Sequence, residues 1–229
     1  MSYVDAAGLN TYYEVRGAGD PVVMLHGGFA TIETWEAQAA ALAERYRVYL
    51  PERRGHGRTP DVDGPLTYEN MAADTAAFIE ALGIGPAHLV GWSDGASVAL
   101  YVALHRPELV RKVICMGAPA WFDGYTPAMK AMVLSLSLDH MPPSMVEAHR
   151  DLSPDGPDHL PVFFEKLAAM WTSEPQMTVE ELSPAKTAGH LGAITRAGAP
   201  PRSPRAATSR PTPARRSRRT HASALPVAP

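Results

Sequence analysis

Ser93 is the residue whose neighbours most favour a chemical role. It stands in the pentapeptide GWSDG (Gly91–Gly95), between the apolar run AHLVGW and a helix-like segment, Asp94–His105. This context suits the G-x-S-x-G turn, in which a serine at the apex has strained backbone dihedrals and projects its Oγ above the sheet. Glycines two residues on either side remove Cβ atoms that would collide with the flanking strand and helix. The pattern predicts a nucleophilic serine, and the alternative is a helix N-cap serine in a glycine-rich turn.

Two backbone amides near this turn are candidates for binding negative charge. The helix after Ser93 begins at Asp94, so the free N–H of Asp94 lies at the positive end of the helix dipole. An earlier apolar run closes in LHGGF (Leu25–Phe29), where Gly28 leaves its N–H open to a ligand. Together they would form a two-donor oxyanion hole, in which each donor contributes about 2.7–4 kcal/mol to acyl transfer.

Other reactive side chains near these motifs fit a structural role better than a catalytic one. His26 in LHGGF, and His56 and Arg58 in the glycine-punctuated loop RRGHGRT, are expected to brace their loops by hydrogen bonds. Cys115, the single cysteine, lies in the apolar run KVICMG and is expected to be a small buried hydrophobe. One cysteine excludes a disulfide framework or a cysteine metal site within this sequence.

The elements that must position these groups alternate along residues 1–118. Apolar runs predict strands at Thr11–Gly17, Val22–Gly28, RVYLP, AHLVGW and RKVICMG. Apolar residues at three- and four-residue steps predict helices at Thr31–Tyr46, Thr67–Leu82 and Asp94–His105. Alternating strands and helices predict an α/β fold, a mostly parallel sheet with helices on both faces.

From about residue 119 the pattern changes twice. Residues 119–186 are rich in Met and Pro without a strand-like run, which predicts a helical lid with pieces at Pro127–Leu138, Pro143–Leu152 and Pro157–Trp171. Residues 182–229 hold nine of the 21 Lys and Arg, eight of the 22 Pro, no Asp or Glu and no aromatic residue. This composition predicts that residues 187–229 form a basic tail. We expect the tail to be disordered from about Ala188 onward and to pack little against the sheet.

HGG, RGHGR and GWSDG at these spacings resemble the α/β-hydrolase fold family, and within it the lid-bearing serine hydrolases that include esterases, enol-lactonases and C–C bond hydrolases. The resemblance covers Met1 to about Lys186. It implies that Ser93 is the nucleophile, that the amides of Gly28 and Asp94 form the oxyanion hole, and that no metal or organic cofactor is used. A serine at the elbow, where an aspartate would stand in epoxide hydrolases and dehalogenases, argues against those two classes.

The rest of the family pattern is absent from the sequence. Members follow the lid with two strands, one ending in the triad acid and one preceding the histidine base, and we expect both strands to be missing here. No Asp or Glu follows Glu181. Of the later histidines, His221 in RRTHASALPV is the candidate base, and His190 or an unforeseen base is the alternative. Asp123 lies near a position that some relatives use for the acid, but a role in lid or loop structure fits it better. Loss of a triad member leaves only about 10³–10⁴-fold catalysis over water.

Two hypotheses explain the tail. The Arg, Pro, Ala, Ser and Thr composition is typical of an out-of-frame reading of a G+C-rich gene, which points to a frameshift near residues 184–190. The rival is a genuine basic tail, RPTPARRSRR, that binds anionic polymers.

The functional prediction is a serine hydrolase of an ester, lactone or similar acyl substrate, impaired by the missing acid and base. The alternative is a catalytically inactive binding module or a defective product. We expect a small-molecule partner, no nucleic acid, and no membrane span, since no run approaches 20 apolar residues. The N-terminal residues lack a basic start followed by an apolar core, so no secretory signal is expected and the cytoplasm is the default location.

Overall fold

The computed structural model of the chain describes residues 2–118, 122–178, 180–182 and 191–194. Its strands are β1 (Ser2–Ala6), β2 (Leu9–Arg16), β3 (Asp20–Leu25), β4 (Tyr46–Pro51), β5 (Ala87–Trp92), β6 (Val110–Met116) and β7 (Leu191–Ile194). In this part of the chain they form one sheet in the order β1–β2–β4–β3–β5–β6–β7. β2 pairs antiparallel with β1 and β4, and the other pairs are parallel. The predicted mostly parallel α/β sheet is confirmed.

Helices cover both faces of this sheet. The α-helices are α1 (Glu36–Ala43), α2 (Tyr68–Ala81), α3 (Asp94–His105), α4 (Pro127–Leu134), α5 (Pro143–Leu152) and α6 (Leu160–Ser173). Alternate residues of β3 belong to different apolar clusters: Val22 and Met24 pack in the cluster that contains Ala39 of α1, whereas Val23 and Leu25 pack with α2 and α3. Because both faces are buried, β3 is a continuous apolar run without polar alternation.

The boundaries of α2 follow from its capping residues. The Thr67 side chain accepts a hydrogen bond from the Asn70 amide, and Gly83 just past the helix has a φ of +61°. Both are standard ends of a helix. The prediction of a helix over Thr67–Leu82 is therefore confirmed within one residue at each end.

One predicted helix near the N-terminus needs correction, and one strand there was not predicted. The predicted single helix Thr31–Tyr46 is a 3₁₀ turn over Ile32–Trp35 followed by the short α1, because Tyr46 already pairs with Asp20 in the sheet. β1 was not predicted from the sequence. It forms a hairpin with β2 through a two-residue turn in which Ala7 and Gly8 both have positive φ.

The expectation that both strands after the lid are missing was wrong for the first of them. β7 pairs parallel with β6, with Leu191 opposite Val113 and Ile194 opposite Cys115, so β6 is not the edge of the sheet over this stretch. β7 also falls inside the predicted tail, so a wholly disordered segment from 187 onward is not what the structure shows. The remaining tail positions lie outside the described residues, and their disorder stays a prediction.

The regular elements within residues 122–178 are helical, as predicted for the lid. α4, α5 and α6 correspond to the three predicted helical pieces, with 3₁₀ turns at Leu138–His140 and Pro157–His159. The predicted limits of core, lid and tail stay predictions. Across the described ranges, every helix is too short or too polar to cross a membrane.

Candidate active site

Ser93 occupies a strained turn between β5 and α3. Its φ of +51° and ψ of −121° lie outside the usual regions for a residue with a Cβ, which costs about 1–3 kcal/mol. The Ser93 amide donates to the Met116 carbonyl at 2.9 Å, which ties the turn to the end of β6. The Ser93 side chain makes no capping hydrogen bond to α3, so the N-cap alternative is not supported.

The two glycines of the pentapeptide are required by their surroundings. A Cβ on Gly91 would lie 2.3 Å from the Gly95 carbonyl oxygen, and a Cβ on Gly95 would lie 2.1 Å from the Leu25 carbonyl oxygen. Both distances are far below van der Waals contact with backbone atoms that cannot move aside. The steric reason predicted for the glycines is confirmed.

In the structure the HGG loop (His26–Gly28) lies against the Ser93 turn (Gly91–Gly95). A Cβ on Gly27 would lie 3.5 Å from the Ser93 Cβ, and a Cβ on Gly28 would lie 2.0 Å from Oδ2 of Asp94. Ser93, Gly28 and Asp94 are therefore neighbours, as their predicted roles need. Glycine at position 28 is what allows the Asp94 carboxyl to come this close.

The amides of Gly28 and Asp94 are unengaged within the described part of the chain, where neither donates to another group. The next amide in the loop is occupied, since the Phe29 N–H donates to Nε2 of His56 at 3.2 Å. Phe29 has a φ of +55°, so the backbone turns sharply after Gly28. The structure thus leaves free the two amides that the sequence singled out.

His26 and His56 are neutral braces, as expected. Nδ1 of His26 lies 2.8 Å from the Gly27 carbonyl while Nε2 accepts the Arg53 amide at 3.2 Å, which together call for a proton on Nδ1. His56 repeats the arrangement, with Nδ1 2.9 Å from the Arg54 carbonyl and Nε2 bound to the Phe29 amide. Complete burial, and then the nearby Arg53 charge, hold the pKa of both imidazoles well below the usual value. Neither is suited to take up a proton.

Arg58 is also a brace. Its guanidinium and its backbone N–H bind the two oxygens of the buried Glu52 carboxyl at 2.6 and 2.5 Å, and its side chain lies over the Tyr12 ring at 4.6 Å. Burial raises the pKa of Glu52 to about 7, against the opposing effect of Arg58. This group of residues holds the RGHGR loop against β2.

The Asp94 side chain is the main feature of the site that the sequence did not reveal. The carboxyl is buried and accepts a hydrogen bond from the Tyr68 hydroxyl at 2.8 Å on Oδ1 and from Trp171 Nε1 at 2.7 Å on Oδ2. Burial raises its pKa, and the charge of Arg53 opposes the rise. Tyr68 begins α2 and Trp171 lies in α6, so one carboxyl joins the turn, the core and the lid.

Aromatic rings of the lid close over the HGG loop. The His149 ring of α5 stacks against Phe29 and Phe163, with centroids 5.7 and 4.8 Å away, and Phe164 meets Phe29 edge to face. Burial lowers the pKa of His149 to about 4, and its Nε2 has no partner in the described part of the protein. The cover over the proposed oxyanion hole is therefore apolar and aromatic.

Of four remaining candidates, the structure describes Asp123 and Cys115. Asp123 pairs with Lys130 at 2.8 Å and is largely exposed, which supports its role in the lid. Cys115 is buried, and burial raises the pKa of its thiol to about 12, as expected of a structural cysteine. His190 and the candidate base His221 lie outside the described residues.

Comparison with known proteins identifies the family. The model of the alpha/beta hydrolase fold matches residues 20–140, more than half of the chain. The chain belongs to the α/β-hydrolase fold family. This match covers both the Ser93 turn and the HGG loop.

The relatives have several activities. A non-heme haloperoxidase of Rhodococcus erythropolis is 37% identical over 121 residues, which are 52% of this chain and 44% of the relative. A 2-hydroxy-6-oxo-6-(2'-aminophenyl)hexa-2,4-dienoic acid hydrolase of Metapseudomonas resinovorans is 33% identical over 120 residues, 51% of this chain and 41% of the relative. This chain thus spans less than half the length of either curated relative. Among solved structures, a thermophilic esterase from Thermogutta terrifontis matches with a TM-score of 0.53 at 26% identity. The match covers 76% of this chain and 67% of the esterase chain.

Proposed function

We propose that the chain is a serine hydrolase acting on a small ester, lactone or similar acyl substrate. Ser93 Oγ attacks the acyl carbon, and the amides of Gly28 and Asp94 stabilise the negative charge that develops on the carbonyl oxygen. A cytoplasmic location and a small-molecule partner belong to the same proposal. The observation that carries it is the strained Ser93 beside two amides that are unengaged among the described residues.

The chemistry also requires a group that takes the hydroxyl proton of Ser93, because an unassisted serine is a weak nucleophile at neutral pH. The buried neutral rings of His26 and His56 have their nitrogens in use. We propose His221 as the base, because its segment RRTHASALPV resembles the family's histidine loop, and we propose a reduced rate because no Asp or Glu follows Glu181 to orient it.

Two of the relatives support an acyl or related substrate. One is named as an esterase, and the other as the hydrolase of a dienoic acid. The apolar aromatic cover formed by Phe29, Phe163 and Phe164 suits a substrate with an apolar acyl or alcohol part.

Turnover of p-nitrophenyl acetate tests the proposal. We expect hydrolysis above the level of Ser93→Ala, with Ser144→Ala, an exposed serine of the lid, as the matched control that keeps the parent rate. His221→Ala should lower the rate as far as Ser93→Ala does. Equal rates for the parent and Ser93→Ala would remove Ser93 from the nucleophile's role.

A binding module is the second candidate function, favoured by the lack of any acidic residue after Glu181. Under it, a small apolar ester binds without turnover, which calorimetry would detect. The frameshift hypothesis is tested separately by resequencing the DNA around residues 184–190. It fails if no single-base change restores a strand followed by a histidine loop.

A further inference from the structure

Arg53 is a buried cation placed against the HGG loop. It is 3% exposed and follows β4 by two residues. Its Nη2 donates to the carbonyls of His26 at 2.8 Å and Gly27 at 2.9 Å, and its Nη1 lies 3.3 Å from the Met71 sulfur. The guanidinium therefore faces the backbone on which the proposed oxyanion hole depends.

The Gly27 carbonyl and the Gly28 N–H belong to one peptide group. Because this group is planar and conjugated, hydrogen bonds to its oxygen draw electron density from the nitrogen and strengthen the N–H as a donor. The Gly27 oxygen receives two such bonds, from Arg53 and from Nδ1 of His26 at 2.8 Å. One of them comes from a cation, and charge-assisted bonds are the stronger kind.

The same cation balances the charge of Asp94. The Asp94 carboxyl lies so close to Gly28 that a Cβ there would be 2.0 Å from Oδ2. An ionised carboxylate at this position would oppose a second negative charge on the substrate oxygen. Arg53 interacts electrostatically with Asp94, so it offsets this repulsion, and a guanidinium keeps its charge at neutral pH.

We propose that Arg53 is a positioning residue for the oxyanion hole, which holds the Gly27–Gly28 peptide in place and strengthens the Gly28 N–H as a donor. This inference rests on the proposed function for its consequence in catalysis. Its structural part, the bond to the Gly27 carbonyl, is measurable without any activity.

Gly27–Gly28 is the one Gly-Gly dipeptide in the sequence, which gives a selective probe. In the full chain labelled with ¹³C-carbonyl, ¹⁵N glycine, a spectrum that correlates each amide with the preceding carbonyl contains a single glycine–glycine peak. We expect Arg53→Met to move this peak upfield in both the Gly27 carbonyl and the Gly28 proton dimensions, and Arg53→Lys to move it less. Arg54→Met is the matched control, since Arg54 binds Asp74 and not the HGG loop.

The catalytic part is tested by the rate of labelling with a fluorophosphonate, whose transition state places negative charge on a phosphoryl oxygen. We expect Arg53→Met to slow labelling about tenfold or more, with partial rescue in Arg53→Lys and the parent rate in Arg54→Met. Binding of 1-(4-nitrophenyl)propan-2-one, the ketone analogue of p-nitrophenyl acetate, should change by less than about threefold, since it does not carry the charge.

The two measurements distinguish a failure of the role proposed for Arg53 from a failure of the proposed function. An unmoved peak in a folded Arg53→Met, or parent labelling in that variant, overturns the role of Arg53. If Arg53→Met does not fold, Arg53→Lys decides by the same two measurements. A parent chain that does not label at all refutes the proposed function, and the shift of the glycine peak still decides whether Arg53 holds the peptide.

Discussion

The indole N–H of Trp171 donates to Oδ2 of Asp94 at 2.7 Å, which joins the lid helix α6 to the first residue after Ser93. The carboxyl that receives it is buried and has one other hydrogen-bond donor in the described structure, the Tyr68 hydroxyl. The lid and the Ser93 turn are thus connected through a group that is expensive to leave unpaired.

Replacing Trp171 by Phe should destabilise the protein by about 1.5–3 kcal/mol, because it removes a donor from a buried carboxyl and keeps most of the ring. Urea unfolding measures the change. Trp92→Phe is the control, since Trp92 is 42% exposed and its indole N–H has no hydrogen-bond partner in the described structure. Equal stability of Trp171→Phe and the parent would show that this bond does not hold the lid.

His149 should make the protein sensitive to acid. In the folded state burial lowers the pKa of its imidazole to about 4, whereas the unfolded chain takes up the proton near 6.5. Between these values the unfolded state binds more protons than the folded state. The contribution of His149 to the free energy of unfolding is therefore complete above about pH 6.5 and is lost as the pH drops toward 4. The charged or titratable groups that act on it are Asp155, His159 and Asp61.

His149→Phe keeps a ring between Phe29 and Phe163 and removes the titration. We expect the parent to lose about 2–3 kcal/mol more than this variant between pH 7 and pH 4.5. His26 and His56 also lower stability in acid, but they do so in both proteins. Replacement of the exposed His105 by Asn is the control, and parallel pH curves for the parent and His149→Phe would contradict the assignment.

Asp61 is a second connection between the core and the lid. Its nearly buried carboxylate accepts from Lys166 Nζ at 2.6 Å and from His159 Nε2 at 2.8 Å. Asp61→Asn should speed hydrogen exchange of the α6 amides and destabilise the protein by about 1–2 kcal/mol, less than a fully buried pair because Lys166 is 20% exposed. Asp123→Asn, which breaks the exposed pair with Lys130, should change exchange little. Similar exchange in the two variants would argue against this connection.

Gly95 should tolerate no side chain. A Cβ there would lie 2.1 Å from the Leu25 carbonyl oxygen, so Gly95→Ala forces β3 and α3 apart and should cost about 3 kcal/mol. Gly64→Ala is the control for backbone strain without a steric clash, because Gly64 has a φ of +90° and nothing within 4 Å of the added Cβ. A Gly95→Ala protein no less stable than Gly64→Ala would contradict this close approach.

Local chemistry explains which features were predictable from sequence. The buried strands are apolar runs, the ends of α2 carry Thr67 and Gly83, and α3 follows the Ser93 turn, so each could be predicted from a few adjacent residues. β7 is four residues long within a segment rich in Pro and Arg, and too short to show a period. β1 depends on the turn at Ala7 and Gly8.

The polar contacts of the site were not predictable for a different reason. Tyr68, Trp171 and Arg53 are 26, 77 and 41 positions from Asp94 in the sequence. Spacing along a helix or strand reveals neighbours on one element, and it cannot reveal which elements pack together. The aspartate in GWSDG was identified for its backbone amide, while its side chain forms the contacts that connect the lid to the core.

Mapping of a fluorophosphonate adduct by tandem mass spectrometry tests the central claim most directly. Trypsin leaves residues 59–111 as one peptide, since it does not cut before Pro107, and the serines in it are Ser93 and Ser97. The account predicts one adduct per chain, fragment ions that place it on Ser93, and its loss in Ser93→Ala. No adduct on the parent, or an adduct that persists in Ser93→Ala, would contradict the claim that Ser93 is the nucleophile.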